Sequence, residues 1–134
     1  MDISIILPVH NERENLCPLL AEIEAALRPM DRAFEVLAID DGSTDGSAEL
    51  LQTLASEKTY LKTIRFRQNY GQSAAFDAGF RFAQGQVVVT MDADGQNDPA
   101  DIPRMIEMLE TQGYDFVAGR RRHRKDNRFF RKIP

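Results

Sequence analysis

The 134-residue sequence contains a single cysteine, Cys17, and only two histidines, His10 and His123. One thiol cannot build a disulfide framework or a thiolate zinc site, and it fits a reducing compartment. Cys17 lies in a helical stretch and is expected to be a small packing residue. No apolar run approaches the roughly eighteen residues needed to cross a bilayer. The first residues, MDISIILPV, carry no basic stretch, so no secretory signal is expected. No glycine occurs from Pro8 to Leu16, which removes the G-x-G-x-x-G fingerprint, and no G-x-x-x-x-G-K-[ST] loop occurs anywhere. A dinucleotide-binding dehydrogenase and a P-loop NTPase are therefore disfavoured. A Ser-His-Asp hydrolase also lacks its parts, having no G-x-S-x-G elbow. His10 reads as a structural or site-wall residue rather than a catalytic base.

What is present is enough for one packed core, with 43% apolar residues, and a charge that is unevenly placed. Residues 120–132 hold eight of the seventeen Lys and Arg and one acid, Asp126. The rest of the chain carries nine basic side chains against twenty acids, so an acidic body of −11 is joined to a basic tail of +7. Such a body would repel a nucleic-acid backbone, so nucleic acid is not an expected partner. These features predict an acidic, soluble, intracellular α/β domain with a basic appendage.

Short apolar runs alternate with helical patterns. Ile3–Leu7 reads as a strand buried on both faces and stopped by Pro8. A helical stripe follows at Leu16, Leu19, Leu20, Ile23, Ala26 and Leu27, with Pro18 expected near its start, where N–H groups lack partners. Phe34–Ile39 predicts a second strand, and Ser43-Thr44-Asp45 the cap of a second helix carrying Leu50, Leu51 and Leu54. Leu61–Phe66, Gln86–Met91 and Tyr114–Ala118 read as further strands. Ala74–Phe82 and the segment opened by Asp98-Pro99 and closed by Gly113 read as helices. This alternation predicts a mostly parallel sheet covered on both faces, whose ligands sit beyond the carboxyl ends of the strands.

Those strand ends are polar. They deliver Pro8-Val9-His10-Asn11-Glu12, then Asp40 to Asp45, then Arg67 to Gly71, and then Asp92-Ala93-Asp94-Gly95-Gln96. Residues i and i+2 of an extended strand point the same way, so Asp92 and Asp94 can grip a hard divalent cation, Mg2+ or Mn2+, with phosphates completing the shell. D-x-D alone is equally at home in a solvated turn. Asp40 to Ser47 reads both as turn chemistry and as a set of acceptors for a nucleobase N–H or ribose hydroxyls, and Asn11-Glu12 has the same two readings.

Four ordered blocks, LPVHNERENL, AIDDGSTDGS, RQNYGQSAAFDAGFRFAQG and VVVTMDADGQNDPADIP, resemble the family 2 glycosyltransferases of the GT-A fold. Within that family the resemblance is closest to the branch that makes polyprenyl-phosphate sugars, and it runs from Ile3 to about Asp126. It implies that Pro8, Val9, Asn11 and Glu12 belong to the first nucleotide-contacting loop and that Asp41 reads the base. Gly71 and Ala75 would belong to the loop and helix that close over the donor. Asp92, Ala93, Asp94 and Gln96 would form the metal motif, with Asp94 the more direct ligand. Gly119, Arg121, Arg124 and Asp126 resemble a G-x-R-x-x-R-x-D segment whose arginines meet phosphates of donor or lipid, and Arg121 joins Asp92 and Asp94 in the expected catalytic set. Gly95 departs from the leucine common in the branch, which should loosen the backbone there.

The resemblance implies residues 1–119 as a nucleotide-sugar and metal-binding domain. Residues 120–134 become a basic segment leading to an acceptor-side region that this chain lacks. The implied partners are a nucleotide-diphosphate sugar, a polyprenyl phosphate lipid and, through the basic tail, the inner face of the cytoplasmic membrane. An open sheet edge in such a C-terminally truncated domain also predicts self-association into a homo-oligomer. A sugar nucleotidyltransferase would want a glycine-rich basic loop after the first strand, which LPVHNEREN is not. The other surviving class is a non-catalytic nucleotide- or anion-binding module whose acids only cap and solvate.

Overall fold

Apolar side chains fill strand β1 (Ile3–Val9) at nearly every position, as suits a strand with neighbours on both edges and helices on both faces. The computed structural model describes residues 1–95 and 97–112, and β1 lies inside its sheet. The chain continues through α1 (Arg13–Leu27), a 3-10 turn at Arg28–Met30, β2 (Phe34–Asp40), α2 (Ser47–Glu57), β3 (Leu61–Arg65) and α3 (Gln72–Phe82). It then forms β4 (Val87–Thr90), a second 3-10 turn at Pro99–Asp101, and α4 (Ile102–Thr111). The strands are all parallel, in the order β3-β2-β1-β4. The α/β fold expected of the sequence is what forms. Tyr114–Ala118 and the basic segment 120–132 lie outside the described residues.

The two faces of the sheet are covered unequally. Ile3, Ile5, Leu7 and Val9 point to the face packed by Leu16, Leu20 and Ile23 of α1, Leu51 of α2 and Ile106 of α4. Ile6, Leu37 and Ile39 point to the other face, where α3 presents Ala75. Gly79 sits on the underside of α3, and a Cβ there would run into the Ile6 side chain, so glycine lets the helix lie close to β1.

Three local expectations change. β1 does not stop at Pro8; it continues to Val9, with Pro8 opposite Ile39. Even-numbered residues of β1 face β4, as Met91 N–H bonding to Ile6 O shows, and β4 pairs with β1 only as far as Ile6. The missing N–H of Pro8 therefore points where the ladder has already ended. Pro18 is the sixth residue of α1, past the first turn, so it removes one intrahelical bond, but it is exposed and the orphaned carbonyl can hydrate. Cys17 is exposed on α1 and is no part of the core, because the buried stripe passes through Leu16, Leu19 and Leu20 instead.

Far from the strand ends, Glu35 of β2 is 1% exposed. Its carboxylate accepts from Ser4 Oγ at 2.5 Å, Gln84 N–H at 2.8 Å and Lys62 Nζ at 2.9 Å. Ser4 Oγ in turn accepts from Gly85 N–H at 2.8 Å, so the turn between α3 and β4 is tied to β1 and β2. Burial alone would push the Glu35 carboxyl up. The bonds from Ser4 and Gln84, with the Lys62 ammonium, outweigh it and hold the group below its usual range.

A folded-state value below the unfolded one means that Glu35 stabilises the fold above the ordinary carboxylate value of 4.5, and that this contribution fades as pH falls through the lower folded value. Glu35→Gln should be about 1–3 kcal/mol less stable than the parent at neutral pH, with the gap narrowing in acid, below the ordinary carboxylate range. Urea unfolding at neutral and at acid pH measures it, and an equal gap at each would contradict the account. Gly79→Ala, which usually stabilises a helix, should instead cost about 1–3 kcal/mol by overpacking Ile6, seen as a lower unfolding midpoint.

Candidate active site at the strand ends

The carboxyl edge of the sheet is built from loops that satisfy one another's backbone groups. Asn11 takes a left-handed backbone (φ 53°), which asparagine tolerates better than most residues. Its N–H donates to Ser43 Oγ at 2.9 Å, and its Oδ1 accepts from Thr44 N–H at 2.8 Å. Glu12 N–H donates to Ser47 Oγ at 3.1 Å and Arg13 N–H to Asp45 Oδ2 at 3.2 Å. The first N–H groups of α1 are therefore capped by side chains of the loop after β2. This modifies the expectation that Ser43 to Asp45 cap α2. Asp45 does accept from Ser47 N–H at 2.9 Å and Ser47 Oγ at 2.6 Å, but the N-cap of α2 is Gly46, and Ser43 serves the other loop. The Ser47 hydroxyl, helped by the Arg13 and Ser47 amides against a small desolvation cost, holds the Asp45 carboxyl below its usual range.

Asp40 and Asp41 are both buried. Asp40 Oδ2 accepts from Ser43 N–H at 3.1 Å, while its buried Oδ1 has no partner among the described residues. The Asp41 carboxylate accepts from Tyr70 N–H at 2.7 Å and Gly71 N–H at 3.0 Å, so it anchors the loop after β3. Gly42 makes that approach possible: its φ is +69°, and a Cβ there would collide with the backbone of Gln68 and Asn69. The Asp41 carbonyl accepts from His10 Nδ1 at 2.8 Å, which places the proton on Nδ1. The Asn11 amide lies 3.4 Å from His10 Nε2, and the Asn69 amide lies beside the ring, 3.2 Å from Nδ1 and 3.4 Å from Nε2. His10 stands where three loops meet.

Asp92 and Asp94 do not lie on an extended strand. β4 ends at Thr90, residues 93–94 turn, and Gly95 has φ +81°. The pair is presented by a turn, with Ala93 buried between a half-buried Asp92 and an exposed Asp94. Gly95 serves the left-handed position of that turn. Asp92 N–H donates to Asn97 Oδ1 at 2.8 Å, and Asp92 Oδ1 accepts from Gln72 Nε2 at 2.9 Å. Among the described residues no group of three or more His, Cys, Asp or Glu is placed to hold a metal. The Asp92 and Asp94 carboxylates could offer hard oxygen atoms to Mg2+ or Mn2+, with phosphate oxygens completing the shell.

The other expected residues divide by placement. Pro8, Asn11, Glu12 and Asp41 converge on one edge, and Gly71 (φ +104°) has open space where a Cβ would be. The Glu12 carboxylate accepts from Asn15 Nδ2 at 2.7 Å. Val9 and Ala75 are buried in the two cores, so their side chains set the height of β1 and α3. Gln96, Gly119, Arg121, Arg124 and Asp126 lie outside the described residues. Sequence reasoning gave no role to Asn69, Gln72 and Asn97, whose partners are 5 to 59 residues away along the chain. Only the place of Gln72 at the start of a helix after a glycine hinted at a role.

A family model described as Glycosyl transferase family 2 matches residues 4–134. An undecaprenyl-phosphate 4-deoxy-4-formamido-L-arabinose transferase of Aeromonas hydrophila is 46% identical over 131 residues, covering 97% of this chain and 40% of the relative. A dodecaprenyl-phosphate galacturonate synthase of Rhizobium johnstonii is 38% identical over 135 residues, covering 100% of this chain and 40% of that protein. The chain thus spans about two fifths of the length of these relatives. Among solved structures, the mannosyltransferase PcManGT from Pyrobaculum calidifontis in complex with GDP-Man and Mn2+ aligns with TM-score 0.71 and 26% identity, over 81% of this chain and 32% of that one. S. aureus TarS 1-349 in complex with UDP-GlcNAc aligns with TM-score 0.70 at 23% identity, over 86% of this chain and 33% of that one, a likeness of fold.

Proposed function

Because the chain belongs to glycosyl transferase family 2 and is similar to polyprenyl-phosphate sugar transferases, we propose that it is the donor-binding part of an enzyme that moves a sugar from a UDP- or GDP-linked donor to a polyprenyl phosphate. The observation that carries this reading is the meeting, at one edge, of the Asp92–Asp94 turn with the loops that Asp41 and Asn11 hold together. Polar groups of the loops that follow β1 and β2 would meet the base and the ribose hydroxyls of the donor. On the β4 side, Asp92 and Asp94 would hold a divalent cation, which supplies charge stabilisation to a departing diphosphate. The non-catalytic module is less favoured, since pure capping does not need two successive buried carboxylates at a strand end.

A lipid phosphate acceptor is already anionic and attacks with little help from a base; what it needs is counter-charge. On this reading Arg121 and Arg124 supply it, since a planar guanidinium matches phosphate oxygens in pairs. The +7 tail also favours the anionic inner face of the cytoplasmic membrane, at about 1 kcal/mol per basic residue near the surface.

Calorimetry with UDP and GDP, with and without Mn2+, tests the donor site. Nucleotide binding should be strengthened by metal, and Asp94→Asn should lower the metal-dependent part by roughly tenfold or more. Failure of both nucleotides to bind would refute the reading. Flotation of the chain with liposomes tests the tail: recovery should rise with the anionic lipid fraction and drop at high salt, and equal recovery on neutral vesicles would remove the membrane role.

A further inference from the structure

Three consecutive residues join the two halves of the edge just described. The Asp41 carboxylate holds the N–H groups of Tyr70 (2.7 Å) and Gly71 (3.0 Å). The next residue, Gln72, is the first of the 11-residue helix α3, and its Nε2 donates to Asp92 Oδ1 at 2.9 Å. The backbone on which Gln72 stands is fixed from both sides. Gly71 takes φ +104°, and its carbonyl accepts from Ala75 N–H at 3.2 Å, while Ala75 is itself buried against the sheet.

We propose that Gln72 is a positioning residue: it aims the Asp92 carboxylate at the cation and ties it to the loop that Asp41 holds. The proposal rests on the nucleotide-sugar reading and deepens it. A carboxylate on a turn can rotate about its own side chain. An amide donor on one oxygen restricts that rotation and so fixes the plane of the carboxylate. Asn97 fixes the Asp92 backbone from the other direction through its 2.8 Å bond, so main chain and side chain are held by different residues. The helix also matters. A glutamine at its first position projects beyond the end of the helix, where the sheet's crossover from β3 to β4 brings it beside the β4 turn. A residue one turn further on would lie over the core, as Ala75 does.

Gln72→Met keeps length and loses the donor, at an exposed position where folding should be unaffected. The test titrates Mn2+ into the full chain with saturating UDP, and again with GDP, for parent and variant. The variant should bind Mn2+ about tenfold more weakly, in the range usual for lost outer-shell partners of a metal ligand. Its affinity for the nucleotide without metal and its urea midpoint should match the parent. That split separates positioning of Asp92 from general damage to the loop. Equal Mn2+ affinity in parent and variant would overturn the role of Gln72 while leaving the donor site standing. A parent that binds neither nucleotide with Mn2+ would overturn the donor-site reading and this inference with it.

Discussion

Backbone N–H groups left open at the start of α1 and in the loop after β3 find their acceptors on the loop after β2, and the shape of the candidate site depends on that exchange. Ser43, Asp45 and Ser47 serve the 11–13 backbone, and Asn11 returns the favour to Thr44. Asp41 serves Tyr70 and Gly71. A helix end or tight loop with unmet donors is costly when partly buried, so these side chains cannot be altered one at a time without loosening a neighbour. The acidic character of the second loop is therefore structural before it is chemical. Negative oxygens are what the orphan amides of two other loops require.

The sheet below supplies the rigidity. β1 bonds β4 as far as Ile6 and β2 along its whole length to Val9, and its buried side chains pin it on both faces. α3 can reach the β4 turn because it lies low over β1, and it lies low because Gly79 and Ala75 present almost no side chain to Ile6. At the opposite end, the buried carboxylate of Glu35 ties the turn after α3 to β1 and β2. The helix is thus held at both ends by carboxylates, by Asp41 and Asp92 at the carboxyl edge of the sheet and by Glu35 at the other.

Much of this was legible from residue patterns. The run Ile3–Leu7 announces a strand buried on both faces, whereas Val87–Val89 announces a strand but not its burial, since Val88 is exposed between buried Val87 and Val89. Local reasoning failed where a residue's partner lay far along the chain. Pro8 looks like a terminator, yet it stays in β1 because its missing N–H points past the end of β4. Cys17 looks like a filler of the helix core, yet the buried stripe passes beside it. Asp92 and Asp94 read as partners on a strand, whereas a turn with Gly95 at positive φ presents them. Gln72 and Asn97 carry no chemistry that a pattern search would mark, because an amide becomes informative only when its partner is known.

What the sequence by itself determined is the alternation of strand and helix, the family of which the chain is a member, and the identity of the acids at the strand ends. These follow from hydrophobic period and residue type, which are local quantities. Tertiary structure alone decided which loop caps which helix, which carboxylate oxygens are occupied, and that Asp41 and Asp92 are joined through residues 70–72. Hydrogen bonds between loops depend on the crossing of the chain in space, and residues 41, 70 and 92 become neighbours only after β1 has drawn β2 and β4 to its two sides.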